Sequence, residues 1–406
     1  MASTVPEIPT ATMSFAGRVL FLVGLLLLAI SGAAAAGQSE GCERSVPTGA
    51  SFDWTVLPDV STTTANAPYK IAVFGDSMTS ARNFIDAALQ LADVPRTATL
   101  PSFIAAGMKV KGLQLPLKSA CASAGWQSAY AHKEKRGAQA FSKGFVSMSS
   151  QSPGDVVALD FRAPLASTRI KQVDIVYEKA RPDDSLLLGV SVDGGDERLV
   201  PLSRSAGRVL RITPDQPAAL LRVRLVSGKV TLHGFQPVYQ QGASVSVDAL
   251  SVPGALMQGW ANVSEALAGG TEYDVILVEY GTNEGAVPAF ERERYLSELR
   301  GHLARLRGFY PNAHCILIGP PDRGVVGGGL KYASIHRQIA QAQKQASAEQ
   351  RCRFWDWQAA MGGPGSAAQW ARADPPLMQP DLTHMTARGY ELSGRLFGQS
   401  FSLKKH

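Results

Sequence analysis

The sequence predicts an α/β protein, a parallel sheet with helices on both faces, carrying an inserted all-β unit. Three observations predict it. Lys70–Phe74, Val275–Val278, Cys315–Ile318 and Phe354–Trp357 are short, continuous apolar runs, the pattern of strands covered on both faces. Helical stretches alternate with them, and a βαβα order closes a parallel sheet between two helical layers. The middle, about 130–240, has strand patterns and no helical ones, and at 406 residues the chain is long enough for two units.

In chain order, residues 1–36 read as a targeting segment. Arg18 precedes the apolar run Val19–Ile30, and Ser31-Gly-Ala-Ala-Ala-Ala36 supplies small residues for cleavage. The run is short for a membrane span, which takes about 20 apolar residues. The expectation is an exported, periplasmic protein with no stable membrane span once the leader is removed; an uncleaved N-terminal anchor is the alternative. Residues 37–68 read as a linker and 69–129 as the first part of the α/β domain, with a helix over about 81–92 after the first strand. Residues 130–241 read as the β unit. Its runs include Val156–Phe161, Gln172–Tyr177, Leu186–Val192, Arg208–Ile212, Leu220–Val226 and Val230–Phe235, separated by Pro, Gly and Asp turns. Val192-Asp-Gly-Gly195 is a hairpin signal, and such strands without helices suggest a sandwich. Residues 242–406 return to the α/β pattern. Phe290, Leu296, Leu299, Leu303 and Leu306 mark a helix over 289–309, and an Ala- and Gln-rich helix covers about 330–350.

Charge excludes little but points away from nucleic acid. Forty Lys and Arg against 34 Asp and Glu leave +6, spread along the chain rather than gathered into a basic face. The cysteines are Cys42, Cys121, Cys315 and Cys352. If the strands beginning at Cys315 and Cys352 are parallel neighbours, both sulfurs lie at one end of the sheet and a Cys315–Cys352 disulfide follows; two buried free thiols are the alternative. No spacing suggests a zinc site.

Three polar blocks follow buried strands or precede a helix. Gly75-Asp76-Ser77 closes Ile71-Ala-Val-Phe-Gly-Asp-Ser77; Gly281-Thr282-Asn283 follows Val275-Ile-Leu-Val-Glu-Tyr280; Asp381-Leu-Thr-His384 stands near the C-terminus. Ser77 is placed as a nucleophile at the carboxyl edge of a sheet. Asn283 can donate an uncharged N–H to a developing alkoxide. His384 is placed as the base, with Asp381, three residues away, fixing its tautomer. Asp76 reads as a local cap rather than the orienting acid. His302 and His336 fall in helices and read as surface residues.

These blocks resemble those of the SGNH (GDSL-like) hydrolases, with Ser77, Gly254, Asn283 and His384 in the family's order. The resemblance covers roughly 69–128 and 243–400. It implies a three-layer α/β/α, flavodoxin-like hydrolase domain, a triad of Ser77, His384 and Asp381, and an oxyanion hole from the N–H groups of Ser77 and Gly254 and the Asn283 amide. Gly254 enters through the resemblance; alone it is a turn glycine after Pro253, with Gly242 and Gly259 as competitors. The insert narrows the likeness to bacterial O-acetylpeptidoglycan esterases, which carry a carbohydrate-module-like β-sandwich between the first and second blocks. That implies an exported serine esterase needing no metal or organic cofactor, with an O-acetylated glycan as its partner. The alternatives are a polysaccharide O-acetyltransferase, an SGNH lipase or thioesterase, and a non-catalytic glycan-binding protein.

Overall fold

A computed structural model describes Cys42 and residues 50–57, 68–179, 185–202, 208–268, 272–286, 290–324 and 330–403. The leader read at 1–36 and most of the linker read at 37–68 lie outside the described residues. Six parallel strands form one sheet: β1 (Tyr69–Phe74), β2 (Thr99–Leu100), β3 (Val245–Ala249), β4 (Val275–Glu279), β5 (His314–Ile318) and β6 (Arg353–Trp355). Their spatial order is β6-β5-β4-β1-β3-β2. The central strand, β1, carries the first polar block. Its alternate residues serve two cores, Ile71 and Val73 on one face, Ala72 and Phe74 on the other. That two-sided burial is why the run is apolar without alternation.

Helices cover both faces. α1 (Asn83–Gln90) and α4 (Ala387–Ser400) pack on the Ile71 side through Phe84 and Phe397, whose rings lie 5.3 Å apart. α2 (Arg292–Phe309) and α3 (Lys331–Glu349) pack on the Phe74 side through Leu296, Leu299, Leu303, Ile339 and Ala346. Trp357, read as the end of a strand, instead opens a helix, Trp357–Met361. Asp356 caps it by accepting from Ala359 N–H at 2.9 Å, and a satisfied helix start wins over apolar content.

The β unit is two antiparallel sheets. One has the order Phe52–Leu57, Val209–Pro214, Ile170–Lys179, Val230–Tyr239, Val146–Ser150, Gln127–Tyr130, with Ile104–Ala105 also on Val230–Tyr239. The other has the order Arg198–Pro201, Leu187–Val192, Leu220–Ser227, Val156–Asp160, Ser119–Ala122. Leu220–Ser227 shows the logic: Leu221, Val223 and Leu225 are buried while Arg222 and Arg224 face outward to Glu197. Each such buried side chain contributes about 1.5–3 kcal/mol. The turn after Val192 joins the hairpin Leu187–Val192 to Arg198–Pro201.

The boundaries differ from the sequence reading. Phe52–Leu57, read as linker, is a full partner of Val209–Pro214. Ile104–Ala105, Ser119–Ala122 and Gln127–Tyr130, read within the hydrolase part, also belong to the β sheets. These pairings join segments far apart in sequence, so local patterns do not reveal them. The two units share a core in which Phe103, Phe141, Phe145 and Val146 meet Phe74, Val278 and Trp260. Cys315 and Cys352 stand bonded at the start of β5 and just before β6, and Cys42 is bonded to Cys121.

Candidate active site

The three central strands, β4, β1 and β3, run parallel, so their carboxyl ends deliver their loops to one edge. β1 delivers Gly75-Asp76-Ser77, β4 delivers Gly281-Thr282-Asn283, and β3 leads to Gly254. Pairing continues past β3: Leu250 N–H donates to Val73 O at 2.8 Å and Val252 N–H to Gly75 O at 2.9 Å. Gly254 sits in an exposed turn with φ +80°, a conformation that favours glycine.

The fourth segment comes from the loop before α4. Asp381 Oδ1 accepts the Thr383 and His384 N–H groups at 3.0 and 2.9 Å, folding the loop into a tight turn. Its Oδ2 lies 2.7 Å from His384 Nδ1, and His384 Nε2 lies 3.1 Å from Ser77 Oγ. Burial pushes the Asp381 carboxyl up, yet the hydrogen bonds from His384 and Thr383 hold it below the usual carboxylate range. Thr386 starts α4 by accepting from Gly389 N–H at 3.2 Å. The loop is tied down where Gly324 N–H meets Leu382 O at 2.9 Å and Gln379 N–H meets His384 O at 2.7 Å. The His384 and Asp381 side chains are 44% and 50% exposed, so the pair faces water.

Ser77, His384 and Asp381 are thus brought into one chain of hydrogen bonds, which can pass a proton from a hydroxyl to an imidazole held by a carboxylate. Asn283 stands beside them. Its Nδ2 donates to Asp76 Oδ2 at 3.0 Å and to Ala255 O at 3.1 Å, pinning the amide between the Ser77 and Gly254 loops. Asp76 is fully buried, accepts Met78 N–H at 2.9 Å, and is raised to about 7, first by burial.

Three further residues support the site, and two of them, Glu279 and Arg323, escaped the sequence reading. Glu284 joins two blocks, accepting from Met257 N–H at 2.8 Å and Gly281 N–H at 3.0 Å. Glu279 lies buried at the end of β4, and its signal was a lone charge in an apolar run. Arg323 donates to Thr282 O at 3.3 Å and lies 4.8 Å from the Tyr332 ring centroid; no motif marks it. His336, read as a surface residue, is fully buried with Nδ1 2.7 Å from Pro321 O, and burial lowers it to about 4. Its helix packs on two sides, which hides the imidazole. A cavity of about 180 Å³ opens next to Glu284, between Leu256–Gln258 and the first turns of α2.

Residues 214–392 match the GDSL-like lipase/acylhydrolase family. That span holds Gly254, Asn283, Asp381 and His384, and leaves Ser77 outside it. No curated protein sequence matches the chain. Among solved structures, one of a peptidoglycan O-acetylesterase in action is similar at 18% identity, covering 83% of this chain and 91% of that one with a TM-score of 0.62. A lipase/acylhydrolase from Enterococcus faecalis has 18% identity over 38% of this chain and 75% of its own, TM-score 0.31. A family 2 carbohydrate esterase with a carbohydrate-binding domain from Corynascus thermopiles has 13% identity over 68% and 98%, TM-score 0.29. The first of these shares the fold across both units.

Proposed function

We propose that this chain, an SGNH hydrolase of the GDSL-like lipase/acylhydrolase kind and hence a carboxylic ester hydrolase, is an exported serine esterase that removes O-acetyl groups from cell-wall glycan. One observation carries the reading: the unbroken hydrogen-bond chain Ser77–His384–Asp381 at the carboxyl edge of the parallel sheet. Ser77 Oγ attacks the acetyl carbonyl while His384 Nε2 takes its proton, and Asp381 holds the imidazole and balances its charge. The oxyanion of the tetrahedral intermediate is met by the Ser77 and Gly254 N–H groups and by the Asn283 amide, which shares an N–H with its present acceptors. On collapse, His384 returns the proton to the departing sugar alcohol. Water, deprotonated by His384, then attacks the acetyl-serine and frees acetate.

The substrate class rests on the fold likeness to a peptidoglycan O-acetylesterase and on the open site. A half-exposed pair suits an acetyl group presented on a polymer and leaves water free to enter, which favours hydrolysis over transfer to a second alcohol. Two disulfides and the 1–36 leader reading support an oxidising compartment, the periplasm. The β unit, packed on the hydrolase core, is assigned to recognition of the glycan.

The test is acetate release from O-acetylated peptidoglycan, from acetylated xylan and from a long-chain ester. Peptidoglycan is expected to be turned over fastest. Ser77→Ala and His384→Ala should each lower turnover by several orders of magnitude with the fold retained, as members of such a unit do. Near-normal acetate release by purified Ser77→Ala would overturn the mechanism; equal rates on the long-chain ester would overturn the substrate.

A further inference from the structure

The nucleophile loop rests on a carboxyl that the chemistry above does not use. Glu279 ends β4, a strand otherwise apolar, and is fully buried. It lies directly against Gly75: a Cβ there would stand 2.7 Å from Glu279 O and 2.9 Å from its Oε2. Oε2 accepts Asp76 N–H at 3.3 Å and the Thr79 hydroxyl at 3.4 Å, while Oε1 has no hydrogen-bond partner among the described residues. An ionised carboxylate with one oxygen bare inside a protein is strongly disfavoured, whereas a neutral acid needs only an acceptor for its single O–H. Asp76, whose N–H already meets Oε2, carries the neighbouring carboxyl that can supply that acceptor.

We propose that Glu279 is a positioning residue of the hydrolytic site: as a neutral acid it donates its O–H in a hydrogen bond to Asp76, whose carboxylate then acts with Ala255 O to fix which way round the Asn283 amide stands. The proposal deepens the esterase reading and rests on it. The location of the proton matters because an Asn amide has a donor end and an acceptor end of nearly the same shape. A carboxylate oxygen of Asp76, 3.0 Å away, calls for the N–H end. A protonated Asp76 would donate its O–H to the carbonyl end instead, and a carbonyl cannot stabilise an oxyanion. Two facing carboxyls share one proton, and the two sites are unequal. Asp76 accepts the Met78 N–H at 2.9 Å and the Asn283 Nδ2 at 3.0 Å, both favouring its ionised form, whereas Glu279 has one oxygen bare. Burial, then the Asp76 charge, pushes Glu279 well above the carboxylate range in the same sense. The proton therefore stays on Glu279.

The experiment measures kcat and KM on a small aryl acetate for Glu279→Gln and Glu279→Leu, each alone and with Asn283→Ala, with thermal unfolding to establish folding. Gln still donates an N–H to Asp76, so it should stay within about 5-fold of wild type, whereas Leu should lower kcat by at least about 30-fold with KM unchanged. In the Asn283→Ala background the Leu loss should shrink below about 3-fold, because residues acting through one another are not additive. Equal losses from Leu in both backgrounds would overturn the proposal, since a purely structural role gives that result. If the Leu variant does not fold, Glu279→Gln decides: kcat within about 5-fold of wild type with KM unchanged upholds the proposal, and a larger loss overturns it. Activity that survives Ser77→Ala would instead be a failure of the esterase reading, and the Glu279 variants are compared only where Ser77 dependence holds.

Discussion

Replacing Asp381 by Asn changes one atom type in the pair and leaves its shape. The amide oxygen can keep the two turn bonds from Thr383 and His384, now made to Oδ1. The nitrogen then faces His384 Nδ1, where a carboxylate oxygen stood at 2.7 Å. Two things are lost: the tautomer that leaves Nε2 free to accept, and the negative charge that stabilises the imidazolium. For charges centred about 4 Å apart, the attraction is about 1 kcal/mol in water and about 4 kcal/mol at the effective dielectric of a protein surface. With Asp381 50% exposed, water screens the pair, and about 2–4 kcal/mol is the reasonable range for charge and tautomer together. At about 1.4 kcal/mol per tenfold, Asp381→Asn should lower kcat by about 30- to 1000-fold, less than the about 10⁴ that follows loss of a fully buried orienting carboxylate. The assay is steady-state hydrolysis of an aryl acetate, with thermal unfolding as the control for fold. A loss under about 3-fold would remove Asp381 from the mechanism, and one beyond about 10⁴ would refute the screening argument.

Asn283→Ala should lower kcat by about 100-fold with KM little changed, because it removes one oxyanion donor and leaves two backbone N–H groups; a change in KM alone would make Asn283 a binding residue. Lys143 gives a pH-dependent prediction. It is fully buried, its Nζ has no hydrogen-bond partner among the described residues and lies 4.9 and 5.0 Å from the Phe103 and Tyr273 ring centroids, and burial lowers it to about 8. The unfolded chain therefore binds more protons between pH 8 and about 10.4, so stability should rise with pH through that window and carry the full penalty below it. The penalty is about 3 kcal/mol, partly offset by about 1–2 kcal/mol of cation–ring attraction. Lys143→Met should then stabilise the fold by about 1–2 kcal/mol at pH 6.5, and by less at pH 9.5, in denaturant unfolding; a gain that does not depend on pH would refute it.

The parallel sheet was legible because burial on both faces writes itself into consecutive residues: Ile71 to Phe74 and Val275 to Val278 need no partner to be recognised. The start of α4 was legible for a similar reason, since Thr386 and the turn at Asp381 satisfy their bonds within a few residues. The wide reach of the β unit was not. Phe52, Trp54 and Val56 alternate as an edge strand should, yet their partner is Val209–Pro214, and nothing local names it. The site divides the same way. Ser77, Asn283 and His384 stand in recognisable blocks, whereas Glu279 and Arg323 gain meaning only from neighbours that folding brings: Asp76 above the one, Thr282 and Tyr332 beside the other.

The strand Val230–Tyr239 has a consequence for how such a protein can diversify. It is central to one sandwich sheet, and after a short loop the chain becomes β3, lies against β1 and arrives at Gly254. With Phe52–Leu57 and Ile104–Ala105 also woven into that sheet, the sandwich has no pair of adjoining ends at which it could be lifted out. Joining residue 129 to 241 would strand four segments without partners and move the backbone that feeds the oxyanion loop. New glycan preferences in this architecture therefore arise by resurfacing the sandwich and its turns in place, because shuffling a foreign module into the chain would disturb the chemistry along with the specificity.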